Sequence, residues 1–365
     1  MIKQIKIENY KSIQNLEFEL GRLNVIIGEN GSGKSNILEA IAMGAVGSEN
    51  DWHRKSLSSR GIRVTDPRAM RSGFQNGNSD KDIEIEFIDY FNEKRKYMLF
   101  YDNNEPFSEW AQRGTYVSEK DLEEMARLNS EEFENKMYPY KRLLKDYADF
   151  LIYAPENHFL RRFEDEMQTE PLGIRGEGLF KLLTVLYKQR PEHFIKIREH
   201  LQLIDWFEGL EIPDNLLFTE RRILIKDRFL EDGLQYFDQK SSNEGFLYLL
   251  FYFSLFISDY TPKFFAIDNI DNSLNPKLCA ELIRNLAKLA KEHDKQVILT
   301  THNPAVLDGL NLNDDEQRLL VVYRNAYGHT KVNRILPKSL PEGIEPVRLS
   351  EQFLRGYIGG LPKNF

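Results

Sequence analysis

Gly28-Glu29-Asn30-Gly31-Ser32-Gly33-Lys34-Ser35 is the stretch on which the reading of this chain turns. It fits G-x-x-x-x-G-K-[ST], and its flanks fit as well. Leu23 to Ile27 reads as a short buried β-run, and beyond the loop Ile37, Leu38, Ile41, Ala42 and Ala45 recur at helical spacing. Glycines in such a loop let backbone N–H groups curl around phosphate oxygens, and the helix N-terminus adds partial positive charge. Lys34 is placed to reach the β- and γ-phosphates of a nucleotide, and the Ser35 hydroxyl to ligate Mg²⁺. A glycine-rich turn that merely precedes a helix is the plainer reading, and pattern and context together weigh against it.

A loop of this class needs an acid at the end of a neighbouring strand to hold the metal. Phe264-Phe265-Ala266-Ile267-Asp268 offers one, four apolar residues followed by a carboxylate. Many buried strands end in Asp, so its place ahead of a helix and a returning strand carries the argument. Thr300-Thr301-His302-Asn303-Pro304 closes that strand, Val297 to Leu299. A histidine at the C-terminal edge of an α/β sheet stands where such sheets bind ligands. A neutral imidazole at 302 could hydrogen-bond a γ-phosphate or an attacking water.

Further out, Ile2, Ile5 and Ile7 open a strand that Leu16 to Leu20 continues. Ile83, Ile85 and Phe87 alternate with acids, and Tyr97 to Tyr101 reads as the returning arm of a hairpin. Ahead of them, the polar, glycine-containing stretch Ser48 to Ser79 reads as loop-rich. Ser118 to Tyr147 is charged and helical, either a short hairpin or, more simply, a solvated surface. Phe150 to Ala154 reads as a buried strand, Leu179 to Leu210 as two or three helices broken at Pro191, and Phe246 to Ile257 as a buried helix. Pro276 opens a helix carrying Leu278, Leu282, Leu286 and Leu289, and Leu319 to Tyr323 is a last strand. Short β-runs that are apolar throughout, alternating with helices, imply a largely parallel sheet buried on both faces.

Composition narrows the function classes. A net charge of -8 over 365 residues argues against electrostatic coating of nucleic acid, while leaving a local basic patch open. With Cys279 as its one cysteine the chain can form neither an internal disulfide nor a cysteine metal cluster. The N-terminus lacks an apolar signal core, and no apolar run approaches a membrane span. A cytoplasmic protein without membrane contact is the expectation.

The loop Gly28 to Ser35, the strand ending at Asp268 and the Thr301-His302 switch, in this order, resemble the ATP-binding cassette ATPases. Within them the chain is most similar to the RecF/SMC/OLD-like branch of AAA family ATPases, many of which occur in bacterial DNA repair and antiphage systems. Ile5-Lys6-Ile7-Glu8-Asn9-Tyr10-Lys11-Ser12-Ile13 resembles that branch's start, Asn272-Ser273-Leu274-Asn275-Pro276 stands in the place of its D-loop, and the tail Leu349 to Phe365 is similar too. The resemblance implies α/β architecture: an ABC-type head with a largely parallel core sheet, an antiparallel β subdomain and a helical signature lobe. It divides the chain into residues 1-155 and 261-365, the two parts of the nucleotide-binding lobe, and 156-260, the helical lobe. It places Asn30, Gly31, Ser32, Gly33, Lys34, Ser35 and Asn36, with Lys11, on ATP, and Ser35 with Asp268 on Mg²⁺.

The same resemblance implies a signature turn that caps the γ-phosphate bound by a second subunit. Ser241-Ser242-Asn243-Glu244-Gly245 is the candidate, with Ser242 or Asn243 in the serine's place ahead of Gly245; a simple helix cap is compatible with that role. A glutamine is absent after the strand at 150 to 154, so Glu156 or Asn157 would substitute. Where the family carries a catalytic glutamate, this chain has Asn269. An amide cannot accept a proton, although it can position water. Asp271 carries a carboxylate two residues on, and His302 completes the catalytic candidates. Slow hydrolysis is expected.

Residues 36 to 241 show no sustained heptads, which excludes a long SMC-type arm, and too little chain follows Gly328 for a Toprim-like nuclease domain. The expectation is therefore an ATP-held switch, a homodimer or higher homo-oligomer joined through an ATP sandwich, controlling a separate nuclease or toxin effector in antiphage defence. The alternative is a RecF-like DNA-binding ATPase. Its one local argument is the cation run Arg54, Lys55, Arg60, Arg63, Arg68 and Arg71, for which a solvated loop is the simpler reading. A transporter's ATPase subunit fits the ends of the chain poorly.

Overall fold

Alternating apolar residues at the N-terminus build an antiparallel sheet. β1 (Ile2–Tyr10) and β2 (Ile13–Glu19) form a hairpin with Ile5 opposite Phe18 and Ile7 opposite Leu16. The other edge of β1 pairs with a later strand, Ile7 opposite Ile85, described below. The computed structural model describes residues 1–49, 51–74, 81–102, 108–115, 147–163, 171–213, 217, 220–231, 236–337 and 347–361. The charged stretch Ser118 to Tyr147, apart from Tyr147 itself, lies outside the described residues.

β3 (Leu23–Ile27) leads through the glycine-rich loop into α1 (Lys34–Glu49). Two short helices, α2 (Arg54–Ser59) and α3 (Pro67–Met70), lie within the loop-rich stretch Ser48 to Ser79. They are so short, with one buried residue each, Leu57 and Met70, that they leave no periodicity to read. β4 (Ile83–Asp89), β5 (Lys94–Phe100) and β6 (Ala111–Thr115) then complete a five-stranded antiparallel sheet in the order β2-β1-β4-β5-β6. α1 lies close on this sheet because Gly44 faces it: a Cβ there would stand 2.6 Å from the Phe87 ring.

β7 (Ile152–Tyr153) and α4 (Asn157–Arg161) open a mainly helical region with α5 (Leu179–Gln189) and α6 (Pro191–Leu201). The break at Pro191 is where the sequence puts it. The end of that stretch is corrected: β8 (Phe207–Glu211), β9 (Leu224–Asp227) and β10 (Phe237–Asp238) form a three-stranded antiparallel sheet. Strands of two to five residues whose partners lie elsewhere in the chain carry little local signal. α7 (Glu244–Ile257) is buried from Phe246 to Ile257 on every side, as an all-apolar helix must be.

β11 (Phe264–Ile267), α8 (Pro276–Glu292), β12 (Gln296–Thr301), a 3-10 helix (Pro304–Gly309), β13 (Gln317–Arg324), β14 (Thr330–Ile335) and α9 (Leu349–Leu354) follow. The central sheet has the order β14-β13-β3-β12-β11-β7, parallel except for the β13–β14 hairpin. Its faces are both buried, residue by residue. Leu23, Val25 and Ile27 join the core beneath α5 to α8, whereas Ile26 joins the core shared with α1 and the antiparallel sheet. Among the described residues no helix is long and apolar enough to cross a membrane.

Candidate functional site

β3, β11 and β12 run parallel and end side by side, so the loops that leave them share one edge of the sheet. From β3 the loop turns through Gly31 and Gly33, both with positive φ. Gly33 has no alternative: at φ +110 a Cβ would lie 2.0 Å from Thr330 Oγ1. That hydroxyl donates to the Ser32 carbonyl at 2.9 Å and lies 2.7 Å from Ser12 Oγ, which accepts from Asn36 Nδ2 at 2.7 Å. The phosphate loop is thus braced by β14 and by the β1–β2 turn. Gly33→Ala is expected to unseat the loop and weaken nucleotide binding by more than tenfold, with the global unfolding midpoint little changed; fluorescent-nucleotide titration beside thermal melts checks this.

Lys34 Nζ donates to the carbonyls of Gly28 at 2.8 Å and Glu29 at 3.0 Å, and lies 3.5 Å from His302 Nδ1. Burial pushes this ammonium down to about 8, outweighing the attraction of Asp268, Glu29 and Asp271. Ser35 Oγ donates to Asp268 Oδ2 at 3.2 Å. The other Asp268 oxygen accepts from Thr300 Oγ1, which in turn accepts from the Asn269 amide at 2.9 Å. Thr300 therefore aims the carboxylate at Ser35. Burial, then the charge of Lys34, lowers the His302 imidazole below its ordinary range, so it is neutral at pH 7.

Asn30, Gly31, Gly33, Lys34, Ser35, Asn36, Asp268, Asn269 and His302 line one cleft of about 340 Å³, joined by Arg63 and Arg324. A larger groove of about 660 Å³ between α8, the 3-10 helix and Leu349 contains none of these groups. The cleft suits a polyphosphate with its cation. In the loop that borders the cleft, Ser32 Oγ is buried without a hydrogen-bond partner among the described residues. A hydroxyl beside one carboxylate is the sparse protein donor set that Mg²⁺ takes, its other positions filled by water and phosphate oxygens.

Other predicted residues fall elsewhere. Lys11, at φ +45, pairs with Glu39, the same buried carboxylate that Arg63 holds, and it lines a neighbouring pocket rather than the cleft. Asp271 is turned to the sheet edge, accepting from Thr301 Oγ1 at 2.6 Å, and does not line the cleft. Nor do Ser242, Asn243 and Gly245 of the same chain. Asn243 caps α7 by accepting from the Phe246 amide at 2.9 Å, while Ser242 is buried with Oγ unpartnered among the described residues. Glu244 links this turn to two other candidate positions, accepting from Asn157 Nδ2 at 2.6 Å and from Ser273 Oγ at 2.8 Å. Asn157 is thereby held at the helical lobe, and neither it nor Glu156 reaches the cleft.

Arg63, Arg324, Thr300 and Thr330 were missed as site residues from sequence. Arg63 stood only in the cation run, and Thr330 brackets the loop from 298 residues away. The run itself does not form one basic stripe. Arg60 and Arg71 are buried, donating to the carbonyls of Phe150 and Tyr101, and Arg63 is paired. Arg54, Lys55 and Arg68 are exposed.

Comparison with known proteins agrees with this geometry. Residues 23–308 match the family described as "AAA domain, putative AbiEii toxin, Type IV TA system". A stretch of 103 residues is 36% identical to the DNA double-strand break repair Rad50 ATPase of Pyrococcus abyssi, covering 28% of this chain and 10% of that protein. Another of 102 residues is 34% identical to the DNA replication and repair protein RecF of Ruminiclostridium cellulolyticum, covering 27% of this chain and 26% of the relative. The matches therefore span about a tenth and about a quarter of these relatives. In fold, the chain is similar to the SMC head bound to the C-terminal winged-helix domain of ScpA, with TM-score 0.59 and 16% identity over 92% of this chain and 98% of that one. An Smc head with extended coiled coil from Pyrococcus furiosus gives TM-score 0.51 at 13% identity, over 92% and 96%. The chain belongs to this AAA-domain family and is a RecF/SMC-like ABC-type P-loop ATPase.

Proposed function

We propose that the chain binds Mg-ATP in the cleft around Lys34, closes head to tail with a second copy, and works as a slow ATP-held switch over a separate effector in antiphage defence. The observation that carries this is the division of the site. Lys34, Ser35, Asp268 and His302 converge in one cleft, whereas the turn at 242 to 245 lies outside it in the same chain. A γ-phosphate held by one copy is then capped by the other, so its presence reports closure. Asn30, Gly31, Ser32 and Gly33 supply loop amides, Lys34 the charge, Ser35 and Asp268 the cation ligands, and neutral His302 a hydrogen bond to the γ-phosphate. Asn36 and Lys11 support the loop from its flank.

Asn243→Asp tests the sandwich with little disturbance, because Asp caps a helix as well as Asn does. The added charge would face the partner's γ-phosphate. Gly245→Asp is the stronger form, although its Cβ would stand 3.2 Å from the Ser273 carbonyl. Both variants are expected to keep ATP affinity within about twofold and to lose ATP-dependent self-association, measured by sedimentation velocity in ATP against ADP. Dimers that persist in ATP with both variants overturn the assignment of this turn.

The Rad50 and RecF matches favour a second reading, a DNA-binding ATPase in repair. It then rests on the exposed Arg54, Lys55 and Arg68. Duplex binding with a steep salt dependence promotes it over the switch, provided that reversing each of these charges lowers the log–log slope by about one.

A further inference from the structure

Three chain segments meet away from the nucleotide cleft: the first turn of α6, the turn after α7, and the end of α8. They bring together His193, Asp259 and His293, with one potential ligand atom from each lying within 4.8 Å of the others. His193 Nε2 is 3.8 Å from Asp259 Oδ2, beyond hydrogen-bond reach, and the two imidazoles cross edge to face with centroids 5.5 Å apart. Nδ1 of His193 and Nε2 of His293 are both buried without a hydrogen-bond partner among the described residues. Histidine pairs that serve only packing ordinarily give a buried ring nitrogen a partner. We propose that His193, Asp259 and His293 form a three-ligand site for a divalent transition-metal ion of the zinc class.

The donor chemistry decides the class of ion. Two imidazoles with one carboxylate suit Zn²⁺ and its neighbours, whereas Mg²⁺ and Ca²⁺ prefer all-oxygen sites. Bonds of ~2.0–2.1 Å at tetrahedral angles put ligand atoms about 3.3 Å apart, so small side-chain rotations close the site. Asp259 is 47% exposed, which provides an entry path and leaves the fourth position to water. The surrounding cations are engaged with other groups. Lys196 pairs with Glu292, Lys263 donates to the His293 carbonyl, and Lys295 donates to the carbonyls of Ser258, Thr261 and Pro262. Burial first, then the charge of Lys196, pushes His293 down to about 4, leaving it neutral and able to ligate at pH 7.

The position gives the ion a structural consequence. α7 and α8 begin at the 242–245 turn and at the Asn272–Asn275 turn, and the cluster pins their far ends, one helix length or ~20–25 Å away. An ion there fixes the helical lobe against the helix that follows Asp268, independently of bound nucleotide.

The test is titration of Co²⁺ into tag-free, nucleotide-free protein, followed by visible absorption and by displacement with Zn²⁺. The expected result is one ion per chain with d–d bands and no thiolate charge-transfer band, and a rise in melting temperature with Zn²⁺. His193→Ala and His293→Ala should each weaken binding at least tenfold and abolish that rise. Asp259→Asn, at an exposed turn, keeps the fold and should weaken binding similarly, so the outcome stays readable even where a histidine variant fails to fold. Unchanged affinity in Asp259→Asn, or a thiolate band placing the ion at Cys279, overturns the proposal.

Discussion

Lys34→Ala is expected to lower ATP affinity by about 10²–10⁴-fold, the loss of two charge-assisted phosphate contacts worth roughly 1.5–3 kcal/mol each. In the free protein the ammonium also holds the Gly28 and Glu29 carbonyls. Its removal therefore loosens the loop as well as deleting the charge, and Lys34→Arg is not expected to restore it, because a planar guanidinium fork does not reproduce a compact ammonium held by two carbonyls. The depressed pKa of about 8 adds a signature in pH. Below pH 8 the lysine is protonated with or without nucleotide, and affinity is level. Above pH 8 the free protein loses the proton, while bound triphosphate draws it back. Apparent affinity then falls as pH rises, and binding takes up a proton. Calorimetry at pH 9 in buffers of different ionisation enthalpy measures that uptake, which Lys34→Ala should remove. Binding that is level from pH 7 to 10 contradicts the role given to Lys34.

The second large effect concerns hydrolysis. Asn269 lines the cleft at φ +57, a left-handed conformation that asparagine tolerates better than glutamate does. An amide there can orient water but not take its proton, and a positioned base contributes typically ~10²–10⁴-fold. Asn269→Glu is therefore expected to raise single-turnover hydrolysis by about 10–100-fold, the strain of a left-handed glutamate offsetting part of the gain. Asp271 is held by Thr301 at the sheet edge, and its charge reaches both Lys34 and His302. Asp271→Ala is expected to lower the residual rate about tenfold or more without loss of ATP binding. A wild-type turnover at or above the ~10 s⁻¹ common among enzymes, surviving Asp271→Ala, would falsify the slow-switch reading. Quenched-flow hydrolysis with equilibrium binding on the same samples separates the two effects.

Much of this site was legible because its chemistry is local. Gly28 to Ser35 carries loop, charge and hydroxyl in consecutive residues, and the strands Phe264–Ile267 and Gln296–Thr301, with apolar centres, are buried at every position. The long helices were legible for the same reason: from Phe246 to Ile257, Ser254 apart, α7 is a run of aliphatic and aromatic residues, and α8 shows its cap and stripe, Asn275 accepting from the Leu278 amide at 2.9 Å. The three short strands β8 to β10 were not, since their pairing partners, not their own residues, make them strands.

What the amino-acid sequence determined by itself was the glycine-rich loop, the carboxylate of Asp268, the imidazole of His302 and the parallel sheet they end on. Each is set by nearest neighbours, through glycine's backbone freedom or the burial of both faces of a strand. Tertiary structure alone decided which distant groups act on them. Thr330 brackets the loop, Thr300 aims Asp268, Arg63 turns from an expected surface cation into a cleft residue, and Asp271 is drawn aside by Thr301. It also brought His193, Asp259 and His293 within reach of one another. Hydrogen bonds and charge act through space over a few ångströms, and residues 30 to 300 positions apart become neighbours only once the sheet is assembled.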